Sequence, residues 1–311
     1  MEISLYGRLS RENRLFYGWR IVGLTALAQL IAIGCTSYIF GIYVGPIAAE
    51  FDASRLVVTS GMAILLLSMA VITPLLGHWL DKHSIRNTMS LGALLMGMGF
   101  GCLSQATAVW QMGLILVLFL GVGAAMLGHL PSSKLVTNWF FARRGKALGF
   151  STLGTSLGGF VLPPATAWLI LFIGWRGSFI CLSLIILFLV LPFVYFTVIN
   201  RPQDIGLLVD GAAAAAEPEP ELEAGLEQTQ DMALSAIIAN PSFWGIGLCV
   251  GCVASLGAIF LTHFAAYSTE FNITLAGAAL VISCYSVAGM VGKLAFGHLA
   301  DIYDKRLLLG I

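Results

Sequence analysis

The sequence predicts an all-α membrane protein built as a helical bundle, with six N-terminal helices followed by the first two to three helices of a repeated second half. Three observations predict it. The chain of 311 residues is 58% hydrophobic and only 10% charged, where a soluble globule carries roughly 25% charged residues. Apolar runs near the length that crosses the hydrocarbon layer, about 20 helical residues for ~30 Å, recur along it. Finally, a charged segment returns: GHWLDKHSIRN at 77–87 aligns without a gap to GHLADIYDKR at 297–306. Gly77, His78, Asp81 and Arg86 recur as Gly297, His298, Asp301 and Arg306, each 220 positions on, and Glu50-Phe51 returns as Glu270-Phe271 at the same offset. Repetition at a fixed offset means a whole unit was copied.

Taken in order, spans are expected at 18–45, 56–77, 88–106, 109–136, 146–172, 177–198, 242–267 and 275–296, with 307–311 opening a ninth. They must be helical, because lipid cannot satisfy an open backbone. Each repeated segment reads as a short, charged, glycine-led turn between two spans. The stretch 200–240 is polar, acidic and rich in Pro and Ala, too poor in aromatics to fold alone, and reads as a linker. The expected organisation is therefore 1–199 as a six-helix bundle, 200–240 as a cytoplasmic linker, and 241–311 as the start of a second bundle. A second half that copies the first calls for four more helices, so the chain is expected to be C-terminally incomplete.

Charge placement gives the orientation. Arg8, Arg11, Arg14, Arg20, Lys82, Arg86, Arg143, Arg144, Lys146, Arg201, Lys305 and Arg306 flank one side of the spans; Arg55 and Arg176 flank the other. Twelve against two places the N-terminus, the linker and both repeated segments in the cytoplasm of a plasma (inner) membrane protein. Net charge is zero, so nothing points to nucleic acid. The six cysteines all fall in apolar runs, and Cys249-Val-Gly-Cys252 lacks the further ligands a zinc or redox site needs. No metal or cofactor is called for. A primary pump would need GxxxxGK[ST], which does not occur. A membrane enzyme would need metal-ligand spacing or a nucleophile–base pair; HExxH is absent, and no hydrolase nucleophile motif is expected.

The paired segments resemble the GxLaDrxGrk signature of the major facilitator superfamily and its second-half copy. FYGWRIV, NWFFARRGKALGFSTLGTSLGG at 138–159, IGWRGSF at 173–179 and RPQDIGLLVDG at 201–211 resemble the branch of monocarboxylate transporters and oxalate/formate antiporters. The resemblance implies two like-oriented six-helix halves and transport by alternating access. It makes Gly77, Asp81, Arg86, Gly297, Asp301 and Arg306 a conformational gate. In that gate the glycines permit close backbone approach, and the aspartate accepts hydrogen bonds from a neighbouring helix N-terminus. Gly145, Gly149, Gly154, Gly158 and Gly159 read as close-packing positions.

Ionisable groups inside spans are functional candidates. Lys134 is near enough to its helix end to snorkel. Lys293 is deeper, four residues before Gly297, where the family carries an arginine that pairs with the substrate carboxylate. A lysine keeps the charge and loses the bidentate fork. The animal-type aspartate four residues earlier is here Gly289, and the helix-one lysine is here Ile42. All sixteen acidic residues lie in loops, tails or helix ends, which leaves carboxylate-based proton coupling unsupported. His129 and His263 are the remaining titratable candidates, and Tyr38 and Tyr43, with Gln29, offer polar groups. The substrate set is thus Lys293, His129, Tyr38, Tyr43 and His263. The reading is a secondary transporter, symporter or antiporter, of a small carboxylate, working with a coupling ion or counter-substrate in the lipid bilayer. The alternatives are a carrier of another small solute, or an inactive fragment or non-transporting sensor on the same fold.

Overall fold

The computed structural model describes residues 16–141, 143–209, 239–268 and 271–302. Among them there is helix and no strand. The first rod runs as α1 (Tyr17–Ile33), a π-helical turn (Gly34–Tyr38) and α2 (Phe40–Glu50). Then come α3 (Arg55–Lys82) and α4 (Ile85–Ser104). The fourth rod is segmented into α5 (Val109–Ile115), a π turn (Leu116–Gly121), α6 (Val122–Leu127) and α7 (His129–Trp139). The long α8 (Arg144–Ile185) continues through a π turn (Ile186–Val190) into α9 (Leu191–Thr197), and α10 (Pro241–Ser268) and α11 (Leu275–Ile302) follow.

Six of these stretches are long and apolar enough to cross a membrane. One of them, Arg144–Thr197, makes two crossings because Gly174 breaks it at φ 72°, ψ 170°. That backbone geometry is open to glycine and strained for any other residue. With the glycine-rich, 20-residue α4, the described residues hold the eight rods the apolar runs predict. Prolines 46, 74, 163 and 164 sit inside helices, which neighbouring helices make tolerable in a membrane bundle.

The repeated segment departs from expectation. Gly77 does not lead a turn: α3 stays helical to Lys82, and the turn is only His83 and Ser84. His83 stacks on Trp79 at 3.7 Å, and the Ser84 hydroxyl accepts from Asn87 N as the N-cap of α4. A helix satisfies its own backbone, so it outlasts the apolar run and carries Asp81 on its last turn. The second copy behaves alike, since α11 is helical through Gly297 to Ile302. Glu270, Arg306, residues 307–311 and 210–238 of the expected linker lie outside the described residues. The described start of that linker is packed: Pro202–Ile205 forms a 3-10 turn with Pro202 and Ile205 buried, closed by Gly206 at φ 72°.

Both ends of the six-rod group are tied by polar contacts. At the GHWLDKHSIRN end, Asn200 bridges elements: its Oδ1 accepts from Arg86 N (3.0 Å), and its Nδ2 donates to Ser84 Oγ (2.9 Å). Trp139 Nε1 donates to Ile199 O (3.0 Å), and Arg86 lies over the Tyr195 ring at 5.3 Å. At the opposite end, Arg176 donates through Nη2 and Nε to Glu50 Oε1 (2.8 and 3.1 Å) and through Nη1 to Ser104 O and Ala106 O (2.8 and 2.9 Å). Trp175 Nε1 donates to the other Glu50 oxygen. The hydrogen bond from Arg176 holds the Glu50 carboxyl below the usual carboxylate range, and Trp175 adds to it. Between the ends, Phe100, Met89, Met96, Leu127, Leu135 and Trp139 are buried in one core. A second, smaller cluster of Ile42, Ala167, Leu261, Ala265, Ala278, Ala279 and Ile282 joins α10 and α11 to α2 and α8.

Candidate functional site

The site forms where α8, α11, α7 and the first rod meet. Its foundation is the small-residue face of α8. A Cβ on Gly154 would collide with the Ala26 backbone, and one on Gly158 would lie 2.7 Å from Leu30 O and 3.2 Å from Gly34 Cα. These glycines press α8 onto α1, as dispersion-driven packing in lipid favours. The expectation fails at Gly145 and Gly149, where an added Cβ meets nothing within 4 Å. The same is true of Gly77, so no close approach explains that residue among the described ones.

On this fixed helix stand Thr152, Thr155 and Ser156, and Lys293 reaches them from α11. Its Nζ donates to Thr155 Oγ1 (2.5 Å) and Ser156 Oγ (2.9 Å), with Thr152 O at 3.5 Å. Thr155 and Ser156 are buried, whereas Lys293 is exposed. All three partners are neutral. Among the described ion pairs Lys293 has none; those found are Lys134–Asp81 and Arg176–Glu50. Gly289, one turn before the lysine, supplies no carboxylate, and a Cβ there would find Ser156 Oγ at 3.9 Å.

Of two further candidates, His129 neighbours this cation and Tyr38 stands beside Ser286, about two helical turns before it on α11. His129 is exposed and opens α7, just after Gly128 interrupts the fourth rod with φ −80°, ψ −136°. It lies within electrostatic reach of Lys293, and the positive end of the α7 dipole falls at this residue. Tyr38 ends the π turn of the first rod, the kind of local irregularity often found at functional sites. Its ring and Ser286 Oγ of α11 both crowd the space beside Gly159.

The other two do not join. Tyr43 is buried, hydrogen-bonded to Ser178 Oγ at 2.7 Å and stacked on Phe179 at 4.2 Å. It lines a separate cavity of about 450 Å³ between the first rod, α3 and the fourth rod, whose walls are mostly apolar and hold no cationic side chain. His263 is exposed on α10, away from these contacts. Gln29 is also buried, donating to Ser151 Oγ at 2.7 Å while Ser151 donates to Thr25 Oγ1 at 2.8 Å.

At the gate, Asp81 takes a side-chain partner rather than a helix N-terminus. Lys134 Nζ lies 2.6 Å from Asp81 Oδ1 and donates to Leu80 O at 2.9 Å, capping the end of α3 with a cation. Arg86 is engaged with Tyr195 as described. The helix holding Gly297 and Asp301 is described, their side chains are not, and Arg306 lies outside the described residues.

One expectation about chemistry is corrected. Gly154-Thr155-Ser156-Leu157-Gly158 does read G-x-S-x-G. A hydrolase elbow, however, sets its serine on a strained strand-to-helix turn with free N–H groups for an oxyanion. Here the five residues lie within continuous helix, whose N–H groups are spent on the helix itself, and Ser156 faces an ammonium.

Comparison with known proteins agrees with the fold. The family model described as Major Facilitator Superfamily matches residues 25–311. Monocarboxylate transporter 13 of Bos taurus is 23% identical over 92% of this chain and 62% of its own length. A probable L-galactonate transporter of Escherichia coli (strain K12) is 24% identical over 72% of this chain and 49% of its own. The chain spans about half the length of the curated relatives it matches. Among solved structures, a bacterial homologue of the human lysosomal transporter Spinster, inward-facing and unoccupied, superposes with a TM-score of 0.68 at 17% identity, covering 93% of this chain and 64% of that one. With helices that cross the membrane many times, a repeated charged segment and a family match over nearly its whole length, the chain belongs to the Major Facilitator Superfamily.

Proposed function

We propose that the protein is a secondary transporter of a small organic carboxylate, with Lys293 as the group that recognises the anion. One observation carries this: an ammonium between two membrane helices that is met by hydroxyls and by no carboxylate among the described residues. An ionisable group at such a place is costly and is kept where it has work to do. The exposed lysine and the positive end of α7 favour negative charge in the same space. Relatives whose names are those of monocarboxylate and galactonate transporters support the class.

In this reading residues 1–199 form one half, 200–240 a cytoplasmic linker and 241–311 the start of the other half, with the N-terminus in the cytoplasm of the plasma membrane. The halves rock about the small alanine-rich contact of α10 and α11 with α2 and α8. Gly77, Asp81 and Arg86, with Gly297, Asp301 and Arg306, gate the basic side, the Lys134–Asp81 pair holding α3 to α7. Tyr38 orients the substrate, and His129 sets the polarity beside Lys293; a coupling ion or counter-substrate accompanies transport. Tyr43 and His263 have no part in this cluster. The test is uptake of radiolabelled lactate and oxalate into vesicles bearing the protein. Saturable flux over empty vesicles is expected, and no flux of either acid in any direction would sink the assignment.

A further inference from the structure

The Lys293 ammonium is shared between two helices that the proposed cycle must move apart, so its unloaded partners matter as much as its cargo. Thr155 donates its own proton to Thr152 O (2.9 Å), which turns its lone pairs toward the lysine. Ser156 completes the pair of acceptors from the next position along the same helix. Both stand on the stretch of α8 that Gly154 and Gly158 press against α1, so they are fixed points. The lysine comes from α11, so these bonds must break if α11 moves relative to α8. Hydroxyls satisfy an ammonium through charge-assisted hydrogen bonds, but they carry no opposite charge, and a carboxylate adds Coulomb attraction at the same distance. A carboxylate that reaches the exposed lysine can therefore take it from them.

We propose that Thr155 and Ser156 are positioning residues that hold Lys293 across the α8–α11 contact in the unloaded protein, and that a bound carboxylate displaces them. Anion binding and release of this contact are then one event, which ties substrate occupancy to movement. The competition half rests on the anion reading of Lys293; the hold itself does not.

The experiment compares wild type, T155V/S156A, the two single variants and T155S/S156T, which keeps both hydroxyls, in membrane vesicles at matched protein level. Without substrate, acetylation of Lys293 by acetic anhydride is followed by mass spectrometry. Removing both hydroxyls should speed labelling about fivefold or more, the single variants should fall between, and T155S/S156T should stay within about twofold of wild type. Equal labelling in T155V/S156A and wild type overturns the hold. With oxalate and lactate as probes, T155V/S156A should bind about five- to tenfold more tightly, because the competing acceptors are gone; unchanged or weaker binding overturns the competition. Wild-type protein that binds neither acid overturns the anion reading and the competition with it, while the labelling arm still decides the hold.

Discussion

Lys134 and Lys293 are both lysines within helical rods, and the bundle treats them differently. Lys134 lies about one and a half turns from the end of α7, pairs with the Asp81 carboxylate at 2.6 Å and caps the last turn of α3. Its charge is spent within the protein. Lys293 meets only the hydroxyls of buried Thr155 and Ser156 and the carbonyl of half-buried Thr152, none of which can neutralise it. The difference teaches that an intramembrane cation is read by its partners rather than by its depth. A cation paired with a carboxylate holds helices, and one resting on hydroxyls has charge left for a ligand.

The sharpest way to break this contrast is to remove each charge in turn. K293A should lower carboxylate uptake about 100-fold or more at unchanged protein level, as truncating one partner of a charge pair that the bound substrate covers costs several kcal/mol. K134A should cost only a fewfold, since a partly exposed pair is worth about 0.2–1 kcal/mol. Equal losses in flux assays would erase the distinction. Next in size is the platform under Lys293. G158L drives a side chain into the backbone of Leu30 and Gly34, at about 1–3 kcal/mol of overpacking. It should lower the thermal midpoint of the detergent-solubilised protein, whereas G149L, with open space around it, should leave the midpoint in place.

The smallest effect is expected at the opposite end, where Glu50 has a partner like that of Asp81. Its carboxyl is held below the usual range by Arg176. Its contribution is therefore present at pH values above the unfolded carboxylate range and lost as pH falls through the lowered folded value. Thermal midpoints measured on acidification should fall more in wild type than in E50Q. Parallel curves would show that the Glu50–Arg176 contact adds nothing measurable.

Much of the fold was legible because membrane spans obey one rule: about 20 apolar residues for each crossing. The break between the fifth and sixth rods could be seen at IGWRGSF, and the structure bends there at Gly174. What local pattern could not show is where a helix outlasts its apolar run, as α3 does through Gly77 to Lys82. Nor could it show the π turns or the break at Gly128, which need the packing of neighbours to appear. In the site, Lys293 stood out because a charge in a span is rare. Its partners did not, since Thr155 lies 138 residues away in a run whose small side chains read as packing. Spacing does not reveal a contact at that separation. The hydroxyls between Gly154 and Gly158 were the available signal: two adjacent polar side chains inside an otherwise close-packed face. Lys134 and Asp81, 53 residues apart, found each other in the same unannounced way.

The most direct test of the account is the preference of the protein for an acid over its neutral amide. Competition of lactate and of lactamide for transport should be measured in wild type and in K293Q. Wild type should favour the acid by about 100-fold, and K293Q should bring the two within a fewfold of each other, as expected when a charged partner is lost. A K293Q protein that still discriminates as wild type does would contradict the claim that Lys293 reads the carboxylate.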